Sequence, residues 1–352
     1  MKAKWIGLLL LVVVALGAVG YVWFSQSTQV TEITGYVGGE KIGLLEDEQV
    51  RKILKDKYHL SLDYNRAGSI EMVTTLDWTG QDFLFPSNQT ALELYEQANG
   101  SPEKSQIIFN TPIVLYTHTA VADALREQGI LFENGGVLTA DMKKLVELME
   151  SGAQWSDVGL PELYGSVTVG TTDPVKSNSG NMFAGLLANV LCGGSVGEED
   201  LPELLPRLQA LFQKLGYMES SSSDLFDQFL KTGMGAKPLI AGYESQLLEL
   251  AVQEPETWEQ IQDDIVMVYP TPTVWSSHVY IALDEVGTQG IDALLDEEVQ
   301  QLAWEKHGFR TGVYDAPTDI DQFGVSGVAE EVTQVAAMPN AMVMEQIIAA
   351  VS

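Results

Sequence analysis

Residues 164–192 read YGSVTVGTTDPVKSNSGNMFAGLLANVLC, and they are the most informative stretch of the sequence. Its first part, 166–170, predicts a short strand, and 182–192 are apolar almost all round, as in a buried helix. Hydroxyl and amide side chains from 177 to 181 lie between them, at the start of that helix. A helix N-terminus has free backbone N–H groups and a partial positive charge, so it can bind an anion without a basic side chain. Capping by a single serine is the alternative, and it explains one of these polar residues but not the run.

The order strand, helix, strand recurs on both sides of this stretch. Residues 30–37 predict a strand ending in the turn 38–41, residues 46–58 predict a helix, and residues 60–64 predict the next strand. This alternation is typical of an α/β protein with mainly parallel sheets. In such sheets the carboxyl ends of the strands bind ligands. Ser87 and Asn88 follow a short buried strand in this way.

Two long apolar stretches contain prolines and predict crossings between two lobes. They are residues 106–117, with Pro112, and residues 264–283, with Pro270 and Pro272. Proline inside a strand belongs at an edge or at a crossing between domains. We expect two α/β lobes with a ligand cleft between them: lobe 1 from residues 30–112 and 271–352, and lobe 2 from residues 113–270. The apolar helix near 341–351 is too short to span a membrane, and we expect it to pack on lobe 1.

Residues 5–24 form an uncharged stretch, WIGLLLLVVVALGAVGYVWF, which follows Lys2 and Lys4. Its length predicts a transmembrane helix, and the two lysines place its N-terminus inside. Residues 1–29 are therefore expected to form an anchor and linker, with the lobes on the extracytoplasmic side of the cell membrane. The alternative is a cleaved signal peptide and a secreted protein, since Ala15-Leu16-Gly17 offers small residues for cleavage.

The chain is strongly acidic, with 19 Lys and Arg against 49 Asp and Glu. Removing residues 1–29 takes away two lysines and no acid, which leaves a net charge of −32. Such a surface repels phosphate backbones and anionic lipid head groups. The composition therefore argues against a nucleic-acid partner and against a protein that binds anionic membrane surfaces.

Motifs of enzymes and metal sites are missing from the sequence. There is no Gly-x-Ser-x-Gly, and Gly233 and Gly235 lack the strand and helix that frame a nucleotide loop. The four histidines have no spacing typical of metal ligands. We expect no cofactor, no metal and no catalysis, with an enzyme on the same two-lobed fold as the alternative because a fold does not determine function.

Three motifs resemble those of type II extracellular solute-binding proteins. The segment Thr172-Asp173-Pro174, followed by residues 176–180 (KSNSG), resembles the TDP-x-x-S-x-S-G of the cluster that includes the molybdate, sulfate and phosphate binders. Residues 243–245 (YES) are similar to the second lobe 2 ligand loop of that cluster, and residues 306–310 (KHGFR) to its C-terminal yGFR. Together the motifs cover most of residues 30–315 in the expected order.

The resemblance implies a periplasmic-binding-protein type II fold, a small polar or anionic ligand, and a monomer that serves an ABC permease or acts as a tethered sensor. It also implies the ligand contacts. Those of lobe 1 are Gly39, Glu40, Lys41, Ser87 and Asn88, and those of lobe 2 are Ser177, Asn178, Ser179, Gly180, Asn181, Tyr243, Glu244 and Ser245. Relatives often have paired serines where this chain has residues 38–41 (GGEK). The alternative ligand is a cation or amine bound by Glu244, whose other role would be to cap its helix.

Overall fold

The computed structural model describes residues 30–311 and 319–352. The strands among these residues are β1 (Thr31–Val37), β2 (Leu60–Arg66), β3 (Phe83–Phe85), β4 (Lys104–His118), β5 (Leu131–Asn134), β6 (Val137–Asp141), β7 (Leu239–Tyr243), β8 (Ile265–Thr271), β9 (Trp275–Ala282) and β10 (Arg310–Thr311). The α-helices are α1 (Ile42–Glu46), α2 (Glu48–Tyr58), α3 (Ser69–Thr74), α4 (Gln89–Asn99), α5 (Thr119–Glu127), α6 (Met142–Ser151), α7 (Asn178–Cys192), α8 (Leu201–Gln213), α9 (Ser222–Thr232), α10 (Glu244–Gln253), α11 (Pro255–Ile261), α12 (Thr288–Leu294), α13 (Glu297–His307) and α14 (Ala341–Val351).

Lobe 1 is built on a mixed sheet. Strand β1 pairs in parallel with β2 and β3, and β3 pairs antiparallel with β9. Strand β9 continues antiparallel along the first part of β4, which also pairs with β10. The carboxyl ends of β1, β2 and β3 therefore meet at one edge, where the segments 38–41, 67–69 and 86–88 leave the sheet.

Strand β4 runs through both lobes and changes its partners on the way. Residues up to Pro112 pair with β9, whereas residues from Ile113 onward pair with β7 and β8. The lobe 2 sheet continues from β8 to β6 and β5. The strands are thus linked by hydrogen bonds through β4 instead of forming two separate sheets. The change of partners lies within the crossing predicted over residues 106–117.

The two faces of the lobe 2 sheet have separate hydrophobic cores. Alternate residues of β4 enter them: Ile113 and Leu115 pack with α7 and α8, whereas Val114 and Tyr116 pack with α9 and α10. This period of two is the ordinary alternation of side chains along a strand. Two further clusters cover the faces of the lobe 1 sheet.

The C-terminal helix α14 packs differently from the expectation that it lies on lobe 1. Its apolar residues Val343, Met344 and Ile347 belong to the core formed with α7 and α8. Only its first residue, Ala341, packs with the lobe 1 cluster, and the backbone N–H of Ala341 donates to Glu93 on α4 (3.1 Å). An apolar helix face predicts burial but not its partner, and here the partner is mainly lobe 2.

No helix within the two described ranges is long and apolar enough to cross a membrane. The predicted anchor, residues 5–24, lies outside those ranges.

Candidate functional site

A cavity of about 440 Å³ lies between the lobes, and we call it the main cavity. Lobe 1 contributes residues from the carboxyl ends of β1 and β2, and lobe 2 contributes the starts of α7 and α9. Its lining includes, from lobe 1, Gly38, Gly39, Glu40, Arg66, Ala67, Gly68, Ser69 and Glu71, and from lobe 2, Lys176, Ser177, Asn178, Ser220, Ser221, Ser222 and Asp224.

Helix α7 reaches the cavity because its first turn packs tightly on the preceding segment. A Cβ atom at Gly180 would lie 2.2 Å from the carbonyl oxygen of Thr172, so only glycine permits this approach. The Ser179 hydroxyl is bonded to Thr172 Oγ1 (2.8 Å) and lies 3.2 Å from Ser177 Oγ. Ser179, Gly180 and Asn181 are therefore buried beside the cavity and do not line it.

Asn178 joins the two lobes through its side-chain amide. Its Nδ2 donates to the carbonyl oxygen of Ser87 (3.1 Å), to the Tyr243 hydroxyl (3.0 Å) and to Ser276 Oγ (3.3 Å). Its Oδ1 accepts a hydrogen bond from Asn88 Nδ2. Because Ser87, Asn88 and Ser276 belong to the lobe 1 sheet and its loops, this residue is a direct hydrogen-bonded bridge across the cleft.

Lys41 is fully buried at the end of β1, behind the wall of the main cavity. Its Nζ donates to Glu40 Oε1 and to Ser87 Oγ, each at 2.7 Å, and lies 3.3 Å from His278 Nδ1. The same ammonium is 4.7 Å from the centre of the Phe85 ring. Lys41 is thus saturated by its neighbours and is not free to bind a ligand.

Charge and burial fix the protonation of this cluster. Burial opposes the ionisation of Glu40, but the charges of Lys41 and His278 and the hydrogen bonds to the carboxylate outweigh it and lower the pKa of Glu40 to about 2. Burial also lowers the pKa of Lys41, and the Glu40 carboxylate opposes that change. Burial beside the Lys41 ammonium lowers the pKa of His278 from 6.5 to about 3. The imidazole is therefore neutral at neutral pH.

Glu244 points away from the main cavity. Its two carboxylate oxygens accept hydrogen bonds from Arg310 Nε (2.7 Å) and Nη2 (2.8 Å), and the Tyr269 hydroxyl donates to one of them. Burial disfavours the charged form of Arg310, but the Glu244 carboxylate outweighs this and raises the pKa of the guanidinium. The KHGFR motif therefore supplies the counter-ion of Glu244, and the carboxylate is occupied inside the protein.

The remaining predicted residue, Ser245, lies near the crossing between the lobes. Its backbone N–H donates to Thr111 Oγ1 (3.2 Å). Together with Gly39 and Glu40 it also lines a second, smaller cavity of about 310 Å³.

The structure thus brings most of the predicted residues together, but in different roles. Gly39, Glu40, Ser177 and Asn178 line the main cavity. Lys41, Ser87, Asn88 and Tyr243 form the buried network next to it. The two polar side-chain atoms of Asn181, Nδ2 and Oδ1, are buried and have no hydrogen-bond partner among the described residues.

Several residues of the site were missed from the sequence. Arg66 ends β2, and Gly68 and Ser69 follow it, so the strand-end rule that selected Ser87 would also have found them. Ser221 caps α9 and Ser222 is its first residue, so the helix-start rule that selected Ser177 would have found them. Ser276 and His278 lie within β9, where no local pattern marks them.

Within residues 30–311 and 319–352, no group of three or more His, Cys, Asp and Glu side chains is arranged to hold a metal ion.

No protein-family model matches the chain, and no curated protein matches it in sequence. Solved structures do match the fold. The substrate-binding protein of an ABC transporter from Agrobacterium tumefaciens has a TM-score of 0.56 and 13% identity, over 93% of this chain and 96% of that chain. Iron-bound HitA from Pseudomonas aeruginosa has a TM-score of 0.57 and 11% identity, over 92% and 99%. A two-component system protein that mediates signal transduction has a TM-score of 0.55 and 12% identity, over 90% and 100%.

These neighbours define the fold as the two-lobed α/β fold of the periplasmic binding proteins, which confirms the predicted fold of the described residues. At such identities the likeness is one of fold alone. The structural likeness does not show whether the chain resembles the molybdate, sulfate and phosphate binders more than other groups of binding proteins with this fold.

Proposed function

We propose that this protein is an extracytoplasmic solute-binding protein that captures a small polar ligand between its two lobes. The observation that supports this best is the main cavity, whose wall comes from both lobes and includes the starts of α7 and α9. Helix starts present unpaired backbone donors, so a ligand rich in acceptors would be bound from both sides at once. The proposed role is binding and not catalysis.

Ligand binding and lobe closure are coupled in this proposal. Asn178 already bridges the lobes beside the cavity, so a ligand that contacts both walls favours the same closed arrangement. A ligand shifts such an equilibrium by its difference in affinity for the open and closed states. A membrane partner can then recognise the closed form.

The lobe boundaries, 30–112 with 271–352 and 113–270, also remain our proposal, except that α14 is assigned to the lobe 2 core. We further propose a tether through residues 5–24 that holds a monomer at the outer face of the cell membrane, with secretion after cleavage as the alternative.

An ABC permease is the partner that the Agrobacterium neighbour suggests. A signalling partner is the second candidate, suggested by the two-component neighbour. A cation site at Glu244 is not part of the proposal, because Arg310 occupies that carboxylate.

Thermal shift of the purified full chain across oxyanions, metal ions, amines, sugars and amino acids tests the proposal. A ligand present at 100 times its Kd adds about 2.7 kcal/mol of stability. Ser69→Ala on lobe 1 and Ser177→Ala on lobe 2 should each weaken binding of the active compound several-fold to about a hundredfold. Ser61→Ala, at the opposite end of β2, is the matched control and should bind normally. Loss of binding from one lobe only would contradict capture between the lobes.

A further inference from the structure

We propose that the ligand of the main cavity is a small organic zwitterion, with its anionic group on Arg66 and its cationic group facing Glu71 and Asp224. This inference rests on the proposed function and names the ligand class of the same site.

The main cavity is larger than a bare oxyanion requires. Its volume is about 440 Å³. Since a water molecule takes about 30 Å³ of the liquid, the cavity holds on the order of fifteen waters. A tetrahedral oxyanion displaces only a few of them, whereas an organic molecule of amino-acid size or larger fills a substantial part of the space. Volumes of this order are typical of organic-ligand pockets.

Arg66 is the cation that is free to bind an anionic group. Lys41 is buried against Glu40, and Lys176 at the rim pairs with Asp173 (3.0 Å). Of the basic side chains that line the main cavity, Arg66 alone has no acidic partner among the described residues. A planar guanidinium donates two parallel hydrogen bonds to a carboxylate, which gives both energy and orientation.

Gly39 leaves room for the Arg66 guanidinium at the wall of the main cavity. A Cβ atom on Gly39 would lie 2.4 Å from Arg66 Nε and 2.7 Å from Cζ, so the guanidinium packs directly against the glycine backbone. Any larger residue at position 39 would displace it. Gly39 is therefore part of the Arg66 site.

The acidic side chains of the main cavity specify the other half of the ligand. Glu71 and Asp224 both line it, and neither has a basic partner within the residues that the structure describes. Glu71 makes only a long contact with the Gly68 N–H (3.4 Å). Two unpaired carboxylates repel a multiply charged anion and attract a cationic group. A zwitterion satisfies both sets of charges, whereas an inorganic oxyanion satisfies only Arg66.

The test is a thermal-shift series on the full chain with named probes. The zwitterion arm uses the individual L-amino acids and glycine betaine, the oxyanion arm uses sulfate, phosphate and molybdate, and the single-charge arm uses acetate and methylamine. We expect stabilisation in the zwitterion arm only. Arg66→Ala and Gly39→Val should weaken binding of the active zwitterion about ten- to a hundredfold. The double variant Glu71→Gln with Asp224→Asn should also weaken it while allowing sulfate to bind more tightly.

Arg51→Ala is the matched control, since Arg51 lies on α2, is exposed and contacts only Glu46 (3.7 Å) among acidic side chains of the described residues. It should leave binding unchanged. Stabilisation by oxyanions alone would overturn the zwitterion and leave the proposed function standing. Zwitterion binding that survives Arg66→Ala, or a zwitterion arm without any stabilising compound, would also overturn the inference.

Discussion

Asn178 makes the hydrogen bonds that join the lobes at the main cavity. Truncation of its side chain should therefore favour an open arrangement of the two lobes. Asn178→Ala would remove the donor to Ser87, Tyr243 and Ser276 and leave buried polar groups unpaired. Each such group costs about 1–3 kcal/mol. We expect lower stability in urea and a larger radius of gyration by small-angle scattering.

Asn189→Ala provides the control, because Asn189 is a buried asparagine on the same helix whose amide donates to Ala337 instead of across the cleft (2.8 Å). It should lose stability without an increase in radius. Equal radii for the two variants would show that Asn178 does not hold the lobes together.

The buried cluster of Glu40, Lys41 and His278 predicts a loss of stability in acid. The unfolded chain binds a proton at His278 below pH 6.5, whereas the folded chain does so only below about pH 3. Between these values the unfolded state holds more protons, so acidification lowers the free energy of unfolding. Glu40 adds a second loss as the pH falls from 4.5 towards 2.

Urea unfolding at a series of pH values between about 7 and 5 checks this dependence. His278→Gln should flatten the fall in stability over that interval. His59→Asn, at an exposed helix end where asparagine tolerates the left-handed backbone, should keep the slope of the wild type. A wild-type slope in His278→Gln would contradict the assignment of a neutral buried imidazole.

At the residue scale, the sequence suggests site residues by one rule: a residue that follows a strand or starts a helix. Gly39, Glu40, Ser177 and Asn178 fit that rule and line the main cavity, and their contact with a ligand stays a prediction. The rule cannot tell which of these residues satisfy one another, and Lys41 and Ser179 turned out to be saturated by internal partners. His278 could not be found at all, because a residue inside a strand joins the site only through the tertiary fold.

At the scale of elements, helix α7 depends on the absence of a side chain at one position. Gly180→Ala would place Cβ 2.2 Å from the backbone oxygen of Thr172, which cannot move without displacing its segment. Overpacking of this kind costs about 1–3 kcal/mol. We expect a clear loss of stability in urea unfolding.

Gly185→Ala on the same helix is the matched comparison. There the new Cβ meets the flexible end of Met338 (2.4 Å to Cε), which can move aside. Alanine also favours the helix by about 1 kcal/mol over glycine. Gly185→Ala should therefore be near neutral, and equal losses in the two variants would contradict the close packing of α7 on Thr172.

Element prediction succeeded where a long periodic pattern was present and failed where tertiary contacts decide. The strand predicted over 106–117 extends over Lys104–His118, as the apolar run implies. Residues 166–170 were predicted as a strand but do not form one. They make only two isolated bridges, one between Ser166 and Gln154 and one between Gly170 and Ile240. Helix α14 was predicted as a helix, but its apolar face could not reveal that it packs on α7 and α8.

At the scale of the whole molecule, the two-lobed architecture was predictable from alternating strands and helices and from the prolines at the crossings. The position of the main cavity follows from that architecture, since strand ends and helix starts of both lobes face one space. The identity of the ligand does not follow, because it depends on which charges remain unpaired after folding. Arg66, Glu71 and Asp224 carry that information, and only their arrangement in three dimensions shows it.

The most direct test of the central claim is hydrogen–deuterium exchange of the full chain with and without the compound that stabilises it most in the thermal-shift series. Capture between the lobes predicts slower exchange in residues 66–71 of lobe 1 and in residues 176–181 and 220–224 of lobe 2. The protection of all three segments should increase together as the site fills. Protection confined to one lobe, or located away from these three segments, would contradict the account.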